Sequence, residues 1–284
     1  MKNSMLEHGI TPPEEIIADG NIHRFGHKHN GWYVCYGDFG SWGEWASGIT
    51  VKWRNRDASK TVVTKADKDR MIAEKIKRDK DREANQLATA ALAKVIYGKS
   101  VACHYHTCYP YQPYHPYLIK KGLKDCGVAR FYNGRLVIPI YNKSGIVNLQ
   151  FIAADGTKRF LKNGIKKGCY CPIRLAKMLD RRKAGHYHVI ICEGFATGMS
   201  LADMYPEGDI YAALDCGNLL SAALAIKQTK YNKSYSDFVI AADNDESGIG
   251  LRYAQVAAAA VNGRVIMPKC IGDFNDMALG HIKD

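Results

Sequence analysis

The stretch Val189-Ile190-Ile191-Cys192-Glu193-Gly194-Phe195-Ala196-Thr197-Gly198 decides the fold. Its first four residues are apolar and mostly β-branched, with no alternation, which suits a short strand buried on both faces as in a parallel sheet. Glu193-Gly194 ends the strand, and Thr197 to Met204 reads as a helix. The unit then recurs. Tyr211-Ala-Ala-Leu214 is a second strand, and Asn218 to Lys227 a helix. Phe238-Val-Ile-Ala-Ala242 is a third strand ending in Asp243-Asn244-Asp245. A helix of small residues, Ile249 to Val261, leads to a fourth strand at Arg264-Val-Ile-Met267 and then to Asp273-Phe-Asn-Asp276. Four strands separated by three helices predict an α/β domain over 185–284, a Rossmann-like four-stranded parallel sheet with flanking helices.

In such a sheet, ligands sit beyond the carboxyl ends of the strands. Glu193 follows the first strand, Asp243 and Asp245 follow the third, and Asp273 and Asp276 follow the fourth, so all five carboxylates are expected on one edge. A single Asp after a strand often only caps the next helix. Five at three strand ends exceed that need, and their mutual repulsion calls for divalent cations. Hard oxygen ligands of this kind suit two or more Mg²⁺ or Mn²⁺ ions.

The chain around this domain has 284 residues, 46% of them hydrophobic, and a formal net charge of +12, which excludes wholesale disorder and leaves room for about two cores. The charge is unevenly spread. Residues 117–183 carry 16 basic and 3 acidic side chains, whereas 184–284 carry 7 and 12. A basic middle beside an acidic end points to a polyanion held by one and metal-binding carboxylates in the other. Within that middle, Arg135–Tyr141, Ile146–Ile152 and Thr157–Leu161 read as a β-meander, with cations at Lys158, Arg159, Lys162, Lys166 and Lys167. Residues 99–184 are therefore expected to form a basic α+β subdomain that holds the polyanion. The run from Thr64 to Tyr97 lacks Gly and Pro and predicts a long, mostly exposed linker helix over 61–98. Residues 1–60 are rich in Gly and aromatics, with alternating runs such as Gly31-Trp-Tyr-Val-Cys-Tyr36, and predict a small β unit whose aromatics serve its own core before any base stacking.

Nine scattered cysteines without a Cys-x-x-Cys pair argue against a disulfide scaffold and for reduced thiols. Cys103-His104-Tyr105-His106-Thr107-Cys108 with His115 invites zinc, but its loose spacing and the lack of a second Cys pair argue against it. No window approaches a membrane span and the first residues lack the apolar core of a signal peptide, so a cytoplasmic protein without membrane contact is expected.

The segments Glu193-Gly-x-Ala196-Thr-Gly198, Asp243-Asn-Asp245-x-x-Gly248 and Asp273-Phe-Asn-Asp276 resemble the acidic motifs of Toprim domains, shared by bacterial-type primases, topoisomerases and some nucleases. Their form is closest to stand-alone Toprim primases of phages, plasmids and other mobile elements. Upstream, Arg135-Leu-Val-Ile-Pro-Ile, the Gly145 turn, Lys158-Arg-Phe-Leu and Lys166-Lys-Gly168 resemble the basic subdomain before the Toprim domain of the bacterial replicative primase, so the resemblance spans roughly 97–284. It implies a DNA primase, a DNA-directed RNA polymerase that makes short RNA primers on single-stranded DNA by two-metal nucleotidyl transfer. Glu193 would be a general acid/base or metal-positioning group and Asp243 and Asp245 metal ligands, with Asp273 or Asp276 as the third acidic position. Arg135, Lys158, Arg159, Lys162, Lys166 and Lys167 would hold the template–primer backbone and the incoming nucleoside triphosphate.

Two departures from the family pattern bear on partners. Residues 1–60 hold a single cysteine, so a zinc ribbon does not select the template. No Gly-x4-Gly-Lys-Ser/Thr loop occurs, so unwinding would fall to a separate helicase. The alternatives are a metal-dependent Toprim nuclease using the same carboxylates on water, and a non-catalytic single-strand-binding replication accessory protein.

Overall fold

In a computed structural model, residues 1–45, 47–55, 65–102, 115–173, 187–230 and 236–282 are described. They divide into two compact units, Met1–Lys80 and Asp81–Asp284. Among the described residues, no helix is long and apolar enough to cross a membrane.

In the first unit, α1 (Lys2–Leu6) precedes an antiparallel sheet of β1 (His23–Phe25), β2 (Gly31–Cys35), β3 (Phe39–Glu44) and β4 (Ile49–Arg54), ordered as in the sequence. Period-2 alternation divides its residues between two faces. Phe25, Tyr33, Cys35 and Trp42 point inward onto Met5 and form the core. α2 (Lys65–Lys99) begins here and continues into the second unit as one long helix. In its second half, Ala93 is fully buried against Val137 and Leu149, whereas Leu87, Leu92 and Val95 stay exposed. Ile96 and Tyr97 pack beside it, half-buried, so the contact lies on the Ala93 face of the helix.

The second unit holds two sheets. The first is antiparallel and runs β5 (Val101–Ala102), β6 (Arg130–Tyr132), β7 (Arg135–Asn142), β8 (Gly145–Ile152) and β9 (Lys158–Phe160), with α3 (Pro116–Lys120) before β6. The expected meander is its β7–β9 part. The second sheet contains β10 (Cys171–Ile173), β11 (Tyr187–Cys192), β12 (Asp209–Ala212), β13 (Ser236–Ala241) and β14 (Arg264–Ile266), in the order β10-β12-β11-β13-β14. The last four are mutually parallel, as the strand–helix alternation predicts, while β10 adds antiparallel to β12. The helices are α4 (Phe195–Met204), α5 (Leu219–Lys230), α6 (Ile249–Val261) and the short α7 (Phe274–Ala278). One apolar core joins the two sheets, from Leu136, Ile138 and Ile140 of β7 to Ile190 of β11 and Phe195 of α4.

Cys126 is disulfide-bonded, which corrects the reduced-thiol expectation at this position. Cys35, Cys169, Cys171, Cys192, Cys216 and Cys270 are free. The Cys103–Cys108 segment lies outside the described residues. His115 is described: it is buried and caps α3, its Nδ1 accepting the Tyr117 N–H.

Candidate active site at the carboxyl edge of the parallel sheet

Glu193 stands where β11 ends and α4 begins, with Gly194 as the N-cap. The neighbouring strand end is locked beneath it: the Ala213 and Leu214 N–H groups donate to the carbonyls of Cys192 and Glu193 at 2.8 and 2.7 Å. Leu214 adopts φ +72° to do so, a costly conformation for a residue with a side chain. Burial raises the Glu193 carboxyl above the usual range and nearby Asp215 adds to the rise, while Lys158 opposes it.

Asp243 follows β13. Burial, then the charges of Glu193 and Asp273, push its carboxyl up to about 7, against the pull of Lys158. Its Oδ1 is buried without a hydrogen-bond partner. Asp245, two residues on, behaves oppositely. It is held below its usual value by the Ser247 hydroxyl and by the Gly250 N–H at 3.1 Å, at the start of α6. An antiparallel bridge fixes the next loop alongside, the Asn244 and Gly272 backbones exchanging hydrogen bonds of 3.0 and 2.9 Å. Asp273 then caps α7, its Oδ1 accepting the N–H groups of Asn275 and Asp276 at 2.7 and 2.9 Å, while Asp276 Oδ2 accepts the Asp273 N–H at 3.1 Å. This is a capping box. Lys121 Nζ stands 3.8 Å from both Asp273 and Asp276.

The five expected carboxylates thus lie at the ends of three strands, and charge couples Glu193, Asp243, Asp245 and Asp273. Asp276 is tied to Asp273 by the capping box. Among the described residues, however, no three His, Cys, Asp or Glu side chains already stand as a metal-binding group. An all-protein cage is not preformed. The donors still suit Mg²⁺ or Mn²⁺, since Mg²⁺ is commonly held by one or two carboxylates together with substrate phosphates, and the bare Asp243 Oδ1 lacks any other partner.

The expected cations divide by face. Lys158 pairs across the β8–β9 ladder with buried Ile152 and influences both Glu193 and Asp243, so it lies on the carboxylate side. Lys166 ion-pairs with Asp215 and lies over the Phe160 ring. Arg159 alternates to the opposite face, paired with Phe151, and Arg135 follows the same parity, toward the side that α2 covers. Lys162 and Lys167 are exposed on the loop after β9.

Sequence reasoning passed over three residues. Asp215 follows β12 as Asp243 follows β13, and strand-end position alone could have flagged it. Asn218 is buried and joins the basic loop to the parallel sheet. It accepts the Gly168 N–H at 2.8 Å and donates to the carbonyls of Cys169 and Ala213 at 2.9 and 2.8 Å. Lys121 lies 152 positions before Asp273 and has no local signal.

Residues 188–284 match the family model described as Toprim domain. This segment is a Toprim domain. A DNA primase TraC of Escherichia coli is 31% identical over 281 residues, covering 91% of this chain and 25% of that protein. A second DNA primase TraC of Escherichia coli is 30% identical over 233 residues, covering 78% of this chain and 15% of that protein. The chain therefore spans about a quarter of one relative's length and less of the other's. Among solved structures, the primase fragment of the bacteriophage T7 primase-helicase protein aligns with TM-score 0.40 and 15% identity, over 54% of this chain and 62% of that one. The likeness to the TraC primases reaches well upstream of residue 97, where the motif resemblance began, so it takes in residues ahead of the basic sheet as well as the Toprim domain.

Proposed function

We propose that this chain is a DNA primase that makes short RNA primers on single-stranded DNA by two-metal nucleotidyl transfer, in the replication of a mobile element. The observation that carries the reading is the coupled acidic edge of the Toprim domain, Glu193, Asp243, Asp245 and Asp273, with Lys158 of the basic sheet facing it. Similarity to DNA primases over most of the chain supports the same reading.

In this reading Glu193, Asp243 and Asp245 hold Mg²⁺ or Mn²⁺ with Asp273, the member of the Asp273/Asp276 pair that acts on Asp243. Asp276 acts through Asp273 by completing its cap. The cations, once bound, would neutralise the cluster and stabilise charge on the attacking and leaving oxygens. We assign Lys158 and Lys166 to the triphosphate, and Lys162 and Lys167, with Arg135 and Arg159 on the opposite face of the basic sheet, to the template–primer backbone, within a basic region over 99–184. Glu193, its affinity for protons raised by burial, is suited to accept a proton from the primer hydroxyl. Unwinding is assigned to a separate helicase, and the chemistry to the cytoplasm, where nucleotides and replicating DNA meet.

The test is to incubate the protein with mixed-sequence single-stranded DNA, labelled ribonucleotides and Mg²⁺ or Mn²⁺, beside Glu193→Gln and Asp243→Asn. Short new oligomers that disappear in both variants are expected. Template cleavage lost in both variants would make the chain a nuclease instead, and DNA binding with neither product would leave it an accessory protein.

A further inference from the structure

The aromatics of the first unit do not all serve its core. Tyr33 and Trp42 are buried, but Trp32 and Trp45 lie on the other side of the sheet, ring centroids 6.1 Å apart, and Trp45 is 62% exposed. Gly43 makes this possible. It pairs with Trp32 across the β2–β3 ladder, and a Cβ there would come within 2.9 Å of the indole, so the ring lies flat over the strand. Arg24, opposite Trp32 in the β1–β2 ladder, places its guanidinium 5.3 Å from the Trp45 ring centroid.

Alternation assigns Arg24, Lys52 and Arg54 to this same outward face, and all three are exposed. None of the outward positions of the four strands carries a carboxylate, although residues 1–51 as a whole hold 6 acidic and 3 basic side chains. At its far end the face opens into a cleft of about 330 Å³ lined by Val34, Phe39, Ser41, Lys52, Arg54 and Met71. An antiparallel sheet whose outward face carries a half-buried and an exposed indole beside the exposed cations Arg24 and Lys52 has the chemistry of a stacking platform for unpaired bases with a positive track for their phosphates. Duplex DNA does not fit it, because its base faces are already stacked.

We propose that the outward face of the N-terminal sheet, centred on Trp32, Trp45, Arg24 and Lys52, is a single-stranded-DNA-binding site separate from the Toprim edge. The site is independent of the primase reading, because it is tested without nucleotides or divalent cations. The whole 284-residue chain is photocross-linked to a 20-mer of 5-iodo-deoxyuridine and thymidine, and the adducted peptides are mapped. Adducts on the peptides that contain Trp32 and Trp45 are expected. In solution, Trp45→Ala weakens oligo-dT binding by about fivefold or more, the low end for loss of one stacked base, with an unchanged melting temperature. Lys52→Ala lowers the slope of log affinity against log salt by about 0.7, one phosphate contact on a single strand. Adducts confined to 115–173 with both variants binding within twofold of wild type would overturn the proposal. So would duplex DNA binding as tightly as the single strand with the same sensitivity to Trp45→Ala. If Trp45→Ala unfolds, the adduct map of the wild type decides.

Discussion

Asp243 stands in a conflict between burial and charge, since desolvation and two neighbouring carboxylates push its proton affinity up to about 7 while Lys158 works against them. The folded chain therefore binds a proton that the unfolded chain releases near pH 4. The sign follows: a raised folded value contributes stability that is complete below about pH 4 and is lost as pH rises through about 7. In the absence of divalent cations the wild type is expected to melt at progressively lower temperature across that window. Asp243→Asn cannot ionise, so its melting temperature should fall less across the same window, with the raised Glu193 carboxyl still contributing, and the variant should be more stable than the wild type above pH 7 by up to about 4 kcal/mol. Mg²⁺ should raise the wild-type melting temperature more than the variant's. Thermal melts from pH 4 to 8, with and without Mg²⁺, check this, and parallel pH profiles for the two proteins would remove Asp243 as the seat of the strain. The site was legible in the sequence as far as strand-end carboxylates went. Its tuning was not, because the opposite shifts of Asp243 and Asp245 depend on burial and on the Gly250 N–H, which arise only when loop and helix meet.

At the scale of elements, α4 lies so close to the sheet that it has no room for a methyl group at Gly198. A Cβ there would stand 2.8 Å from Ile173 of β10 and 3.2 Å from the Cys192 sulfur of β11. Glycine inside a helix ordinarily costs about 1 kcal/mol relative to alanine, so Gly198→Ala would stabilise an unpacked helix. Here it is expected to destabilise the protein by about 1–3 kcal/mol, the usual penalty for overpacking, and to displace the start of α4 and with it Glu193. Chemical denaturation checks the first effect, and loss of activity at full folding the second. A gain in stability would mean that the helix is free to move away from the sheet. The same contact explains what the sequence concealed. β11 to β14 were legible because short apolar, β-branched runs between helices read as parallel strands. β10 was not, since Cys171-Pro172-Ile173 has no period and becomes a strand only by pairing with β12. In the long helix, Leu87, Leu92 and Val95 are the apolar positions that catch the eye, yet Ala93, with Ile96 and Tyr97 beside it, makes the contact. Propensity cannot reveal how near a sheet lies.

Across the whole molecule, the cations and carboxylates that the sequence separates by region oppose each other in their effect on DNA. Residues 117–183 attract phosphate, and the acidic edge of the Toprim domain repels it. Binding of this region to single-stranded DNA should weaken steeply with monovalent salt, with a log–log slope of about −2.8 if the four cations assigned to the template–primer backbone contact phosphates. The carboxylates add a second dependence that simple counterion release does not contain. Neutralising them removes repulsion without adding a contact, so Asp243→Asn should bind DNA as tightly as the wild type or more tightly, while making no primer. For the same reason Mg²⁺, added at constant ionic strength, should tighten binding of the wild type and leave a Glu193→Gln/Asp243→Asn double variant nearly unchanged. Fluorescence anisotropy with a labelled oligonucleotide reads both effects. Equal Mg²⁺ responses in wild type and double variant would mean that the template passes clear of the carboxylate edge, and the proposed alignment of template, nucleotide and Asp243 would then be wrong.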